Sequence, residues 1–232
     1  MDLKAKVVVI TGASKGLGRA LAIAFARVGA TVVVSARGRD GLAAVAQQIG
    51  AVAVPADVTR ESEVAALART VVERFGRIDV WVNNAGIWMP HAPIEEMDWD
   101  KVHQLMEVNL FGTIYGSKAA LVQMRQQGTG IIVNVISGSA LVGRPLSSGY
   151  CASKFAASGF TKSLRLAVEG SGISVVAVYP GGMKTGIFGH HPPADYATFM
   201  PVAPVAEKMV DNLCQATPNE ELVIAGPEKL EN

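Results

Sequence analysis

The sequence predicts an α/β fold: a doubly wound, Rossmann-like parallel sheet of about seven strands with helices on both faces. Three observations predict it. Short runs rich in valine and isoleucine recur along the 232 residues, segments of helical length and periodicity separate them, and the first run ends in a loop of spaced glycines. Continuously apolar runs read as strands buried on both faces, as a parallel sheet requires. Ligands of such a sheet bind beyond the carboxyl ends of its strands.

The first strand is expected at 7–10, followed at once by Thr11-Gly12-Ala13-Ser14-Lys15-Gly16-Leu17-Gly18. Leu17, Ala20, Leu21, Ala24, Phe25 and Val28 then share one face of a helix. Gly12, Gly16 and Gly18 permit a tight turn and a close backbone approach to a pyrophosphate, whose charge the helix N-terminus favours. A glycine turn without a ligand has the same spacing, but the position between strand and helix favours a dinucleotide. The second strand, 31–34, is followed by Ser35-Ala36-Arg37-Gly38-Arg39, with no carboxylate before Asp40 to hold a ribose hydroxyl. Arg37 can instead hydrogen-bond a ribose phosphate, with Lys15 as a second positive charge, so NADP is expected over NAD. Otherwise Arg37 and Arg39 are solvated loop charges.

Further strands are expected at 52–54, 80–82, 131–135, 175–178 and 222–224. The densest loop signal is 186–204, containing Gly189-His190-His191-Pro192-Pro193, and it is read as a substrate lid. No linker, low-complexity tract or repeat divides the chain, so residues 1–228 are expected to form one domain, with 229–232 as a tail outside it.

Half of the residues are hydrophobic and 18% are charged, which excludes a disordered chain, and no apolar run could span a bilayer. A net charge of +1 without a basic stripe argues against nucleic acid. Cys151 and Cys214 make no metal-ligand pair, and His91, His103, His190 and His191 lack zinc-site spacing, so no metal is expected. With no export signal, the expectation is a cytoplasmic protein with free thiols.

Several motifs fall in one order: the 11–18 glycine loop, Asp57-Val58, Asn83-Asn84-Ala85-Gly86, Asn109 followed by Leu110 and Gly112, Ser137 thirteen residues before Tyr150, Tyr150-Cys151-Ala152-Ser153-Lys154, and Pro180-Gly181 with Thr185. Together, from Lys6 to about Gly226, they resemble the short-chain dehydrogenases/reductases. The resemblance implies an NADP-dependent oxidoreductase moving a hydride between nicotinamide and a carbonyl or alcohol. It implies that Gly12, Ser14, Lys15, Gly16, Leu17, Gly18 and Arg37 hold the adenosine and phosphate end of the cofactor. Asp57 and Val58 would meet the adenine, and Asn84, Ala85, Gly86, Pro180, Gly181 and Thr185 the remainder. The helix over 98–127 and the one starting near Ser148 resemble the pair that joins family dimers, so a homodimer or homotetramer is expected. The chain departs from many members in having no long glycine-rich stretch after 222–226, and tetramer contacts built by such stretches are not implied.

A hydride arriving at a carbonyl carbon builds negative charge on oxygen, which calls for a proton donor and hydrogen bonds. Tyr150 can supply the proton. Tyrosine ordinarily ionises near pH 10, and Lys154, one helical turn on, would favour the phenolate. The resemblance adds that Lys154 holds the nicotinamide ribose, that Ser137 orients the substrate oxygen and that Asn109 holds a water in a proton relay. Without it, serine after a strand is a turn residue and asparagine in a helix marks a bend. Ile87, Trp88, Met89, Ser139, Leu146 and 188–200 are the substrate-side candidates, suited to a nonpolar or mixed substrate. Tyr179 is expected to pack or to line the pocket. Two rivals share the fold: an NAD-linked alcohol dehydrogenase, and a nucleotide-sensing protein without chemistry.

Overall fold

A computed structural model describes residues 2–225. Strands β1 (Val7–Thr11), β2 (Thr31–Ser35), β3 (Val52–Ala53), β4 (Val80–Asn83), β5 (Gly130–Val135), β6 (Ile173–Pro180) and β7 (Glu221–Ile224) form one parallel sheet in the order β3-β2-β1-β4-β5-β6-β7. The order reverses between β1 and β4, and the crevice at such a reversal is where doubly wound sheets bind ligands. All seven runs read from the sequence are strands. β6 extends two residues beyond its apolar run at each end, because pairing with β5 and β7 continues through Ile173 and Pro180. The expected tail, 229–232, lies outside the described residues.

Seven helices connect the strands: α1 (Gly16–Arg27), α2 (Arg39–Ile49), α3 (Glu61–Phe75), α4 (Trp99–Leu105), α5 (Gly112–Gln127), α6 (Ser148–Ala167) and α7 (Val202–Cys214). The strands alternate their side chains between two buried layers. Val8, Ile10, Val34, Val82, Val133 and Val178 pack against α1 and α7 through Leu17, Leu21, Phe25, Met209 and Leu213. Val7, Val9, Val33, Trp81, Ile132 and Val175 pack against α3 and α5 through Val64, Leu67, Val71, Ala120 and Met124. Each fully buried aliphatic side chain contributes roughly 1.5–3 kcal/mol over leaving it in water, so the two layers hold the strand ends in fixed relation.

The predicted 98–127 helix is present with one interruption. A π-helical turn, Met106–Phe111, separates α4 from α5 and carries Asn109. Within the segment expected as a lid there are two short 3-10 turns, Gly186–Phe188 and Tyr196–Thr198, and its last three residues already belong to α7. Pro204 stands in the first turn of α7, where proline's missing N–H has no intrahelical partner to lose. Among the described residues no helix is long and apolar enough to cross a membrane.

Candidate active site

The glycine loop leaves β1 with Gly12 at φ +66° and Gly16 at φ +57°, a backbone region that disfavours side chains. A Cβ on Gly12 would stand 2.7 Å from Ala85 Cα, and one on Gly18 would collide with the Gly12 carbonyl and the Asn84 amide. The loop is laced to its neighbours. Asn84 Nδ2 donates to the carbonyls of Thr11 (2.9 Å) and Gly12 (3.2 Å), Thr11 Oγ1 accepts from the N–H groups of Asn84 and Ala85, and the Ala13 N–H donates to Ser35 (3.0 Å). The first turn of α1 has no acidic residue and no side-chain cap, so its N–H groups face outward as an anion site. This cradle fits a dinucleotide pyrophosphate.

The other expected cofactor residues converge on the same strand ends. Thr185 approaches Gly16, with its Cγ2 3.5 Å from where a Cβ would sit, although 169 positions separate them in sequence. Gly41 of α2 lies against Ser14 in the same way, which brings the 37–39 segment beside Ser14 and Lys15. Arg37 and Lys15 are exposed, and among the described residues neither side chain has an ion pair or hydrogen bond. Asp57 Oδ1 accepts from the N–H and hydroxyl of Thr59 (3.0 and 2.9 Å), while Val58 packs under Gly112. Beside the loop, a groove of about 650 Å³ runs from Gly16 and Thr185 along the outer face of α1.

Tyr150 and Lys154 occupy the first two turns of α6, and Ser137 follows β5 as the residue that opens a 3-10 turn, accepting from the Ser139 N–H (3.1 Å). The Ser137 hydroxyl lies near enough to that of Tyr150 to favour its ionised form. Buried Lys154 places its Nζ 3.5 Å from the Val135 carbonyl oxygen and 5.9 Å from the centre of the Tyr150 ring. Asn109 uses its amide fully: Oδ1 accepts from the Ile87 N–H (2.9 Å), and Nδ2 donates to the Ile87 carbonyl (3.0 Å) and Ser153 Oγ (3.1 Å). Ser153 in turn donates to the Tyr150 carbonyl (2.8 Å). Gly86 fits between these groups, because a Cβ there would stand 3.3 Å from Asn109 Oδ1 and 3.7 Å from Lys154 Nζ.

Burial governs the protonation of the pair. It pushes the Tyr150 hydroxyl above the ordinary tyrosine value, and the Cys151 side chain adds to this; the Ser137 hydroxyl and the charge of Arg144 act in the opposite direction. Burial also lowers Lys154 to about 8. Desolvation thus favours the neutral form of both groups, yet Lys154, lowered to about 8, still carries its charge at pH 7 beside the Tyr150 ring.

On the substrate side, Trp88 makes edge contacts with His91 (5.5 Å between ring centres) and with Phe188 (5.0 Å), and Phe188 touches Tyr196 and Phe199, each at 5.6 Å. The Tyr196 hydroxyl donates to the Thr185 carbonyl (3.4 Å). Ile87 and Tyr150 pack against Met89, Met97 and Leu105. His190 and His191 are exposed, and Tyr179 is buried with its hydroxyl 3.0 Å from Ser158 Oγ, packing instead of lining a pocket. Sequence reasoning did not single out Ser153 or Thr113, whose hydroxyl donates to the Asn109 carbonyl (2.9 Å). Both sit one turn from a recognised residue: Thr113 bonds within its own helix, and Ser153 bridges the Tyr150 carbonyl of α6 to Asn109 in the π-helical turn.

The family model described as short chain dehydrogenase matches residues 6–194. The chain belongs to this family. As a short-chain dehydrogenase it is an oxidoreductase, and its relatives are correspondingly similar. It is 41% identical over 184 residues to cis-4-hydroxycyclohexanecarboxylate dehydrogenase of Sinomonas cyclohexanicum, covering 78% of this chain and 74% of that protein. Among solved structures, 3-ketoacyl-(acyl-carrier-protein) reductase of Brucella melitensis complexed with NADH matches with a TM-score of 0.89 at 29% identity, over 97% of this chain and 98% of that one. An alcohol dehydrogenase of Thermococcus sibiricus complexed with 5-hydroxy-NADP matches with a TM-score of 0.84 at 27% identity, over 98% of both chains. These short-chain dehydrogenases thus include one complexed with NADH and one with an NADP derivative.

Proposed function

We propose that this short-chain dehydrogenase transfers a hydride between NADP(H) and an alcohol or carbonyl compound, with Tyr150 as general acid/base. The observation that carries the reading is buried Lys154 one turn from Tyr150 on α6, its Nζ 5.9 Å from the tyrosine ring, with Ser137 at the end of β5 near the Tyr150 hydroxyl. Gly12, Ser14, Gly16, Leu17 and Gly18 would cradle the pyrophosphate, with Thr185 closing on it; Asp57 and Val58 would flank the adenine, and Asn84, Ala85, Gly86, Pro180 and Gly181 the remaining length. When bound, the dinucleotide supplies or accepts the hydride.

In the reducing direction negative charge grows on the substrate oxygen. Tyr150, held protonated by burial, donates its proton to that oxygen, and Ser137 orients it through its hydroxyl. The phenolate left behind is stabilised by Ser137 and by the Lys154 ammonium. Asn109 fastens the Ile87 backbone to α6 through Ser153, so the strand-β4 side of the pocket stays in register with Tyr150. The 186–204 segment acts as the lid, its Phe188 meeting Trp88 across the entrance. The reading of NADP over NAD rests on exposed Arg37 and Lys15 beside the loop and on the missing carboxylate at 35–39. The chain forms a homodimer or homotetramer through α5 and α6.

A screen of carbonyl compounds and alcohols, followed by nicotinamide absorbance with NADPH and NADH in parallel, tests the reading. Tyr150→Phe is expected to cut turnover of the substrate so found by roughly 10²–10⁴-fold, the usual worth of a positioned proton donor. Unchanged turnover would remove Tyr150 from the mechanism, and faster initial rates with NADH would move the assignment to an NAD-linked alcohol dehydrogenase.

A further inference from the structure

The loop between β5 and α6 carries a feature that the hydride-transfer reading does not use. Arg144, Pro145, Leu146 and Ser147 form a β-turn closed by a hydrogen bond from the Ser147 N–H to the Arg144 carbonyl (3.3 Å). Pro145 suits the second position of such a turn. Leu146 stands in the third at φ +59°, where glycine or asparagine would sit without strain. Burial of the side chain does not explain this, since Leu146 is 52% exposed. Backbone strain kept without a packing reason points to function.

The turn is aimed at the substrate entrance. Ser147 is the N-cap residue of α6, so Tyr150 lies in the helix turn that follows. The Leu146 carbonyl accepts from the Ala92 N–H (2.9 Å), which fastens this lip to the loop carrying Trp88 and His91. Leu141 and Val142 of the same loop are 45% and 55% exposed, so three large apolar side chains within six positions face outward beside the site. Arg144 is exposed among them, and no hydrogen bond or ion pair engages its guanidinium among the described residues. Its charge reaches the Tyr150 hydroxyl and favours the ionised form.

We infer that this turn selects the substrate: Arg144 binds a carboxylate at one end of an oxo or hydroxy acid whose apolar body lies against Leu141, Val142 and Leu146 and whose reacting oxygen reaches Tyr150. A planar guanidinium matches a carboxylate through paired hydrogen bonds, and an apolar lip favours a body of carbon over a polyol. The inference deepens the hydride-transfer reading and rests on it.

Matched pairs test it, straight-chain and cyclic oxo acids against their primary amides, with NADPH as the reductant. The wild-type protein is expected to prefer the acid at least about tenfold in kcat/KM, the order of one charge-assisted hydrogen bond. In Arg144→Gln the preference for acid over amide disappears through a higher KM for the acid, while the loss of the charge beside Tyr150 changes kcat for acid and amide by the same factor. Cyclohexanecarboxylate is expected to compete with the acid, more weakly at high salt and in Arg144→Gln. Leu146→Gly, which relieves the turn, is expected to keep or raise Tm while lowering kcat/KM for acid and amide alike. Equal rates for acid and amide in the wild-type protein, or an equal loss for both in Arg144→Gln, overturns the inference and leaves the oxidoreductase reading intact. Turnover of neither class, nor of any alcohol, overturns both.

Discussion

Lys154 has two consequences of opposite sign. Its ammonium is lowered to about 8 by burial, so it is charged below that pH and increasingly neutral above it. The charge stabilises the phenolate that forms when Tyr150 gives up its proton, so kcat/KM for carbonyl reduction is expected to fall above about pH 8, by up to tenfold per unit. The same charge is costly to the fold. Between about 8 and the ordinary lysine value the unfolded chain holds a proton that the folded chain lacks, so stability rises with pH across that window. Lys154→Met is therefore expected to lose activity while keeping or raising Tm at pH 7; a lower Tm would show that the ammonium holds the site together. At the cofactor end, Arg37→Asp is expected to reduce kcat/KM for NADPH by about 10–100-fold, the worth of one to two charge-assisted hydrogen bonds, and to leave NADH use unchanged or improved. Spacing in the sequence makes Tyr150 and Lys154 legible, and motif order adds Ser137 and Asn109. Their charge states are not legible, because the groups that desolvate Lys154 come from β5, α6 and the segment after β4. Arg144 is illegible for another reason: an exposed loop arginine looks like any solvated charge until the turn around it is seen.

Elements hold those residues in place through buried polar contacts as much as through apolar ones. Trp81 Nε1 donates to Asn83 Oδ1 (2.8 Å), Asn83 Nδ2 to Ser117 Oγ (3.0 Å) and to Asn134 Oδ1 (2.8 Å), and Asn134 Nδ2 to Thr161 Oγ1 (2.9 Å). The chain joins β4 and β5 to α5 and α6, the helix that carries Tyr150 and Lys154. Asn134→Ala removes its centre and leaves Asn83 and Thr161 buried with lost partners, which costs about 1–3 kcal/mol. Thermal unfolding should register this as a fall of roughly 2–4 °C per kcal/mol, and an unchanged Tm would mean that the network adds nothing to stability. The strands were legible from apolar runs alone, because a parallel sheet covered on both faces makes each strand a continuous run, and α1 from its apolar period, whereas the 98–127 helix and the one from near Ser148 were read through the family resemblance. The π turn at Asn109 was not. It is a local widening of one helix, with Gly112 pressed against Val58 and Thr113 serving the Asn109 carbonyl, and neither contact leaves a trace in helical periodicity.

At the scale of the molecule, the reversal of strand order between β1 and β4 puts the glycine loop, the Asn84–Gly86 segment and Tyr150 around one crevice, which explains how motifs spread from 11 to 185 come together in space. That convergence follows from the alternation of strand and helix and was legible. Phe111 and Val122 on the π–α5 unit and Phe155 and Leu166 on α6 are exposed, Leu166 to 73%, although these helices have charged and polar residues available for a solvated face. Exposed apolar residues also stand elsewhere, Trp99 and Val142 among them, but these four recur three helical turns apart on one face of each of two packed helices, which suits a contact surface. Association of the α5 and α6 faces about a two-fold axis would bury it and would make Tm depend on protein concentration. Light scattering on the eluted protein is expected to give a dimer or tetramer mass, and Phe155→Glu together with Leu166→Glu is expected to shift it to the monomer. A wild-type protein of monomer mass at all concentrations would show instead that these side chains face solvent in the working enzyme.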